Sequence, residues 1–300
     1  MRKLLVTGGT AFVSRYTAEY FRRRGDEVYV LNRGTGVQSD GVTPIIADRH
    51  ALGDKLRGYR FDAVIDVTCY TREDAADLLD ALGEFGDFVM ISSSAVYPET
   101  LPQPFSEDMP VGANSIWGAY GMDKIAAEEE IRRRVPGAYI LRPPYIYGPM
   151  QNVYREPFVF DCAAQGMPFR LPGDGSLPLQ FLHVDDLCRF VDILLTRRPA
   201  ARVFNVGNPE TVTAREWAAL CYEAAGVPFV SVSVGAEHPQ RSYFPFHDYA
   251  YRLDVTRQAA LMPDTIPLAQ GIREAYLWHT AHPEDAKKRG YLTYIETSGI

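Results

Sequence analysis

Tyr120 and Lys124 lie four residues apart in Ser115–Val135, a stretch whose composition predicts a helix ended by Pro136-Gly137. Side chains at that spacing share one helix face. The pair could turn a phenol into a base. A tyrosine that ionises near pH 10 must be brought down towards neutrality, at a cost of ~4 kcal/mol, before it accepts protons readily. An ammonium at ~4 Å is worth ~4 kcal/mol at intermediate dielectric. In a chain with 18 tyrosines the spacing alone selects nothing. The surrounding elements must decide.

Short apolar runs at Lys3–Thr7, Glu27–Asn32, Thr43–Ala47, Ala63–Thr68, Asp87–Ser92 and Ala138–Leu141 alternate with helical patterns such as Phe12–Arg24. That rhythm predicts an α/β domain, a doubly wound parallel sheet covered by helices, over residues 1–150. After Gly148-Pro149 the alternation gives way to frequent proline and glycine. A smaller α+β unit is expected over 151–300, with 203–207 able to return to the sheet.

Thr7-Gly8-Gly9-Thr10-Ala11-Phe12-Val13-Ser14 joins the first strand to the first helix. Glycine there lets backbone approach a pyrophosphate, and the helix start offers free N–H groups and a positive dipole end. Gly8, Thr10, Ala11, Phe12 and Val13 are therefore the expected dinucleotide contacts. The second strand ends in Asn32-Arg33-Gly34 rather than in the acid that would favour NAD. A neutral amide beside an arginine suits a 2′-phosphate. The cofactor expectation is NADP or NAD, leaning to NADP.

The formal charge of −7 argues against a nucleic-acid-coating surface. Four scattered cysteines form no metal or disulfide pattern, no metal site is expected, and no segment has the length of a membrane span. The expected location is the cytoplasm, and the expected partner a small molecule.

The glycine turn, Ile91-Ser92-Ser93-Ser94-Ala95-Val96-Tyr97, the Tyr120–Lys124 pair, Leu141-Arg142-Pro143-Pro144-Tyr145-Ile146-Tyr147-Gly148-Pro149 and Phe181-Leu182-His183-Val184-Asp185-Asp186 together resemble the extended short-chain dehydrogenase/reductase superfamily. That group contains nucleotide-sugar epimerases and dehydratases. The resemblance covers about residues 1–275 and implies a Rossmann fold with Ser93, Tyr120 and Lys124 as the catalytic set. Ser93 would hold the substrate oxygen, with Ser94 as its substitute. It further implies that Asp48, beside Arg49, meets adenine, that Thr68, Lys124 and Pro143 flank the nicotinamide ribose and ring, and that Tyr145 and Gln180 face the substrate. A homodimer through the Tyr–Lys helix and Thr71–Leu82 is also implied.

Departures from the pattern narrow the reaction. Gly8, Ala11 and Ser14 occupy positions where the superfamily usually has three glycines. Ser94 and Ala95 replace the Asp-Glu pair of the 4,6-dehydratase branch, which sets dehydration aside. Leu179-Gln180 replaces an arginine that clamps the diphosphate of nucleotide sugars, leaving Arg142, Arg155, Arg170 or Arg241 as substitutes. The expectation is hydride transfer at a sugar carbon, by an epimerase or a reductase. The alternatives are an NADPH-dependent ketoreductase on a non-sugar compound, or a non-catalytic dinucleotide-sensing or RNA-binding relative.

Overall fold

The computed structural model describes Met1–Ile300. Lys3–Thr7 forms β1, Phe12–Arg23 α1, Glu27–Asn32 β2 and Thr43–Ile46 β3. Phe61–Asp66 (β4), Arg72–Ala81 (α2), Phe85–Ile91 (β5), Ala119–Arg134 (α3) and Tyr139–Arg142 (β6) follow. Beyond them come β7 (Tyr145–Tyr147), α4 (Glu156–Ala164), β8 (Phe169–Pro172), β9 (Pro178–His183) and α5 (Val184–Arg197). The chain then runs through β10 (Val203–Asn205), β11 (Thr211–Thr213), α6 (Ala214–Ala224) and β12 (Ser231–Val234). It closes with α7 (Thr256–Ala259), α8 (Leu268–Ala281) and α9 (Tyr291–Ser298).

The main sheet has seven strands in the order β10-β6-β5-β4-β1-β2-β3, all parallel. Leu4, Leu5 and Val6 are fully buried because β1 is covered on both faces. Leu4 and Val6 pack with α1 and α5 on one side, while Leu5 packs with α2 and α3 on the other. The chain steps outwards from β1 through β2 to β3, then returns to place β4 on the other side of β1. That reversal opens a crevice at the C-terminal ends of β1 and β4, where ligands of such sheets bind. Thr7 ties the crevice floor together: its Oγ1 donates to Asp66 (2.7 Å) and accepts the amides of Val67 and Thr68.

The second half of the chain has its own aromatic core around Phe158, Phe169, Phe181, Trp217, Phe244 and Phe246. β7 pairs with β9, and β11 with the other edge of β9. β10 leaves this region and joins β6 at the edge of the main sheet. The segment after His282 also has a place, since Tyr291 of α9 packs against Tyr154 and Phe158. No helix is long and apolar enough to cross a membrane.

Two expectations about α3 need correction. The helix begins at Ala119 rather than at Ser115, because Asn114 Oδ1 captures the Ile116 and Trp117 amides in a turn and Gly118 takes φ +52°. The composition also predicts a solvated face of i,i+4 pairs, Glu128–Arg132, Glu129–Arg133 and Glu130–Arg134. Glu130 does reach Arg134 (3.8 Å), but Glu128 is buried and faces the sheet. It takes two bonds from Arg142 of β6 (2.6 and 3.0 Å) and one from Ser92 (2.5 Å). Arg142 continues to the Tyr97 hydroxyl, and Tyr97 to Asn205 of β10.

This buried pair locks α3 to three strands of the sheet. Removing one partner strands the other charge in a dry site, which typically costs ~3–5 kcal/mol. Glu128→Ala is accordingly expected to lose about that much in urea unfolding. Glu129→Ala, which gives up only the exposed contact with Arg72, should stay within ~0.5 kcal/mol of the parent. Equal effects for the two variants would contradict the assignment.

Candidate active site

Two clefts open at the crevice. One, of about 400 Å³, is lined by Ala11–Ser14, the three serines Ser92–Ser94, Tyr120, Lys124, Pro143 and Tyr145 among others. The second, of about 410 Å³, is lined by Gly8, Thr10, Asn32, Arg33, Asp48 and Arg49 with their neighbours. Thr68 and Tyr70 line both, so the two join into one groove across the switch point.

Lys124 is 2% exposed and carries the more constrained charge. Its Nζ donates to the carbonyls of Cys69 (2.6 Å) and Ile91 (3.0 Å) and sits 4.8 Å from the centre of the Tyr70 ring. Burial pulls its pKa down, and the acidic groups around it, Asp66 and Glu128 included, act in the opposite direction. Tyr120 lies one turn earlier, its ring centre 6.0 Å from that ammonium. The residue is 40% exposed, yet its hydroxyl end is sunk in the cleft and burial pushes the phenol up; the nearby Ser93 hydroxyl works the other way. Ser93 stays at the mouth of β5 because its Oγ accepts the Ala95 amide (3.1 Å). Gly121 permits α3 to come this close, for a Cβ there would stand 2.5 Å from the Ala95 carbonyl oxygen. The structure thus gathers Ser93, Tyr120 and Lys124 at one point, with Ser94 beside them on the same cleft.

The glycine turn has the form a pyrophosphate needs. Gly8 and Gly9 take φ +92° and +86°, and a Cβ on Gly8 would meet Ser14 Oγ at 2.6 Å. Ser14 therefore fills the space beside the turn, and its Oγ donates to the Ala11 carbonyl. Ala11, the N-cap of α1, provides no side-chain acceptor, and the first turn carries no acid. The opening amides of α1 are left for an anion in the groove. These features fit a bound dinucleotide.

At the far end of the groove the expected contacts divide. Asn32 is occupied: its amide donates to the Gly8 carbonyl and Gln38, and its oxygen accepts from Gly34. Arg49 is likewise committed, with both Nη groups on the buried Asp66 carboxylate (2.9 and 2.5 Å). Asp48 caps the turn after β3 through the His50 amide. Arg33 alone of these pairs with no carboxylate and makes no hydrogen bond within the chain.

Gln180 departs from its expected role. It is 1% exposed and spent on backbone: Nε2 donates to Asn208 (2.8 Å) and Leu253, and Oε1 accepts the Leu253 amide (2.8 Å). It stitches β9 to the segment before α7 and stands away from the cleft lining. Two of the four arginines considered as anion clamps are committed: Arg142 holds Glu128, and Arg170 donates to Pro168 and Ile300. Arg241 and Arg155 each donate to one backbone carbonyl. Only Arg155 lines the cleft. Trp117, Tyr251, Asn152 and Val153 complete its walls. No local pattern in the sequence marks those four, because they come from loops far apart along the chain.

The model of the NAD dependent epimerase/dehydratase family matches residues 4–207. The chain belongs to this family. Among its relatives, the chloroplast stem-loop binding protein of 41 kDa b from Arabidopsis thaliana is 24% identical, over 92% of this chain and 78% of the relative. A dTDP-glucose 4,6-dehydratase from Streptomyces griseus is 27% identical, over 88% of this chain and 78% of the relative. The fold superposes on UDP-glucose 4-epimerase from Thermotoga maritima with a TM-score of 0.78 at 18% identity, covering 94% of this chain and all of that one. The epimerase/dehydratase family is enzymatic, and dehydratases are among the relatives, so kinship does not set dehydration aside as the residue pattern at Ser94-Ala95 had.

The turn predicts its own test. Gly8→Ala puts a Cβ against Ser14 in a left-handed backbone, a strain of order 1–3 kcal/mol. It should weaken NAD binding by at least about tenfold in a fluorescence titration while the far-UV spectrum stays native. An unchanged affinity would remove the turn from the cofactor site.

Proposed function

We propose that the chain moves a hydride between a nicotinamide dinucleotide and a sugar hydroxyl or ketone carbon, most fittingly on a nucleotide sugar, with Tyr120 as the acid/base. One observation carries the reading: Ser93, Tyr120 and Lys124 meet in a cleft whose lining contains no carboxylate. Proton transfer there has a tyrosine to run through and no aspartate or glutamate to compete with it.

Gly8, Thr10, Ala11, Phe12 and Val13 would receive the pyrophosphate, Arg33 and Asp48 the adenosine end, and Thr68, Lys124 and Pro143 the nicotinamide end. A dinucleotide held by these residues would supply the hydride acceptor and donor and, in its oxidised form, a positive charge. Ser93 holds the reacting substrate oxygen against Tyr120. Tyr120 takes the hydroxyl proton in the oxidative direction and gives it back in the reverse one. Lys124, fixed by two carbonyls, supplies a positive field that favours the phenolate. With both directions available at one carbon, the site serves a 4-epimerase. A ketoreductase would use half of the cycle.

The same lining argues for setting aside elimination, which asks for an acid and a base placed beyond the reacting carbonyl. Ser94 and Ala95 offer neither, so dTDP-glucose should give no dehydrated product. The uncommitted Arg33 beside a neutral Asn32 supports NADP over NAD. Kinship to the stem-loop binding protein favours an RNA-binding alternative, but a net charge of −7 opposes a phosphate backbone.

A screen of UDP-, dTDP- and GDP-sugars with NAD and NADP tests the reading. Tyr120→Phe should lower turnover by about 10²–10⁴-fold, the usual scale for a general acid/base, with cofactor affinity within about threefold. Full activity in that variant, or no turnover of any sugar by the parent, would defeat it. Arg33→Ala should weaken NADP binding by about tenfold and leave NAD binding unchanged; equal effects on both would defeat the cofactor assignment.

A further inference from the structure

The substrate half of the cleft is walled by aromatic rings. Trp117 meets Tyr145 and Tyr251 edge to face, and Tyr145 packs on Phe246 with ring centres 4.6 Å apart. Into this wall is set one cation, Arg155. Its guanidinium lies 5.4 Å from the centre of the Tyr145 ring and 6.0 Å from that of Phe246. One Nη donates to the Ile146 carbonyl (3.2 Å). Its Nε is enclosed and finds no acceptor, and neither does the buried Tyr145 hydroxyl.

Partly buried arginines such as Arg2, Arg15, Arg49 and Arg257 have a carboxylate within 4 Å; Arg22, Arg202 and Arg241 do not, but none of those three lines the cleft. Arg155 has no such carboxylate. The nearest acid by sequence, Glu156, is fully buried and makes no ion pair with it; burial pushes its carboxyl up, and the Arg155 charge acts the other way from beyond 4 Å. The other cation of the cleft, Lys124, is already bound to two carbonyls. A guanidinium on an aromatic platform, drawn partly out of water and left without a counterion, is costly until an anion completes it.

We infer that Arg155 is the receptor for an anionic oxygen group of the substrate, a carboxylate on the sugar or a phosphate of the nucleotide it carries. This rests on the sugar-oxidoreductase reading and adds to it that the substrate carries an anionic group into the cleft that holds Ser93 and Tyr120. Arg155 thereby stands in for the arginine that Leu179 replaces. It does so from the start of α4 rather than from β9.

The inference is tested by calorimetry on the cofactor-loaded protein, with UDP-glucose, UDP-glucuronate, glucuronate and inorganic phosphate as probes and methyl glucoside as the neutral control. Binding is read rather than turnover, so a failure of the acid/base chemistry cannot mask the result. Arg155→Met should weaken at least one class of anionic probe that binds the parent, those bearing a phosphate or those bearing a carboxylate, by about 10- to 100-fold, the scale of a charge-assisted bond. Arg155→Lys should recover part of the loss, and dinucleotide affinity in both variants should match the parent as the folding control. Equal losses for UDP-glucose and UDP-glucuronate point to phosphate oxygens; a loss confined to UDP-glucuronate and glucuronate points to the carboxylate. If all the anions bind Arg155→Met within twofold of the parent, or if none of the four binds the parent, the inference is overturned. Binding of glucuronate or phosphate without either UDP-sugar would keep Arg155 as the anion receptor and remove nucleotide sugars from the proposed function.

Discussion

The ammonium of Lys124 has no carboxylate within reach; it is held by the carbonyls of Cys69 and Ile91. A buried charge without a counterion survives only where oriented dipoles replace its water. Those two carbonyls sit just past β4 and at the end of β5, so the contact requires both strands to finish in register beside α3. The order β5-β4-β1 provides that register, and Thr7 fixes the end of β1 to the same place through Asp66 and the loop amides. The lysine therefore reports on the whole crevice: strands, switch point and helix must all be in place for its charge to be tolerated.

That constraint explains why the rest of the polar interior looks as it does. Glu128, one turn beyond Lys124, anchors α3 through Arg142 and Ser92, while Arg49 closes the opposite side on Asp66. Each of these charges is consumed by structure. What the structure leaves uncommitted in the groove is a short inventory: the open amides of α1, the Ser93 and Tyr120 hydroxyls, Arg33 and Arg155. An open helix start, two hydroxyls and a cation at each end would suit the proposed charged dinucleotide lying beside a charged substrate.

Much of this was legible in the sequence where the determinant is local. Apolar runs mark the buried parallel strands β1, β2 and β5 because both their faces are covered. The Gly8-Gly9 turn is readable because positive φ selects glycine, and Tyr120–Lys124 because four residues make one helical turn. Legibility failed wherever a partner lies far along the chain. Glu128 reads as surface charge until Arg142 is brought beneath it, and Gln180 reads as a substrate ligand although its partner Leu253 is 73 residues away. Arg155 appears as one of four candidate arginines; only the folded chain shows that Arg142 and Arg170 are already spent and that Arg241 lies outside the cleft lining. The start of α3 was misplaced for a more local reason, the capture of two amides by Asn114.

The central claim is that Lys124 and an oxidised dinucleotide together convert Tyr120 from an acid into a base. Its most direct measurement is the ionisation of that one phenol, read near 295 nm as the difference between the parent and Tyr120→Phe across the pH range. Without dinucleotide the phenol should ionise above the ordinary value of about 10, as burial in the cleft requires. With saturating oxidised dinucleotide it should ionise close to neutrality, and Lys124→Met should abolish most of that fall. A Tyr120 that stays above about 10 in the dinucleotide complex would contradict the account.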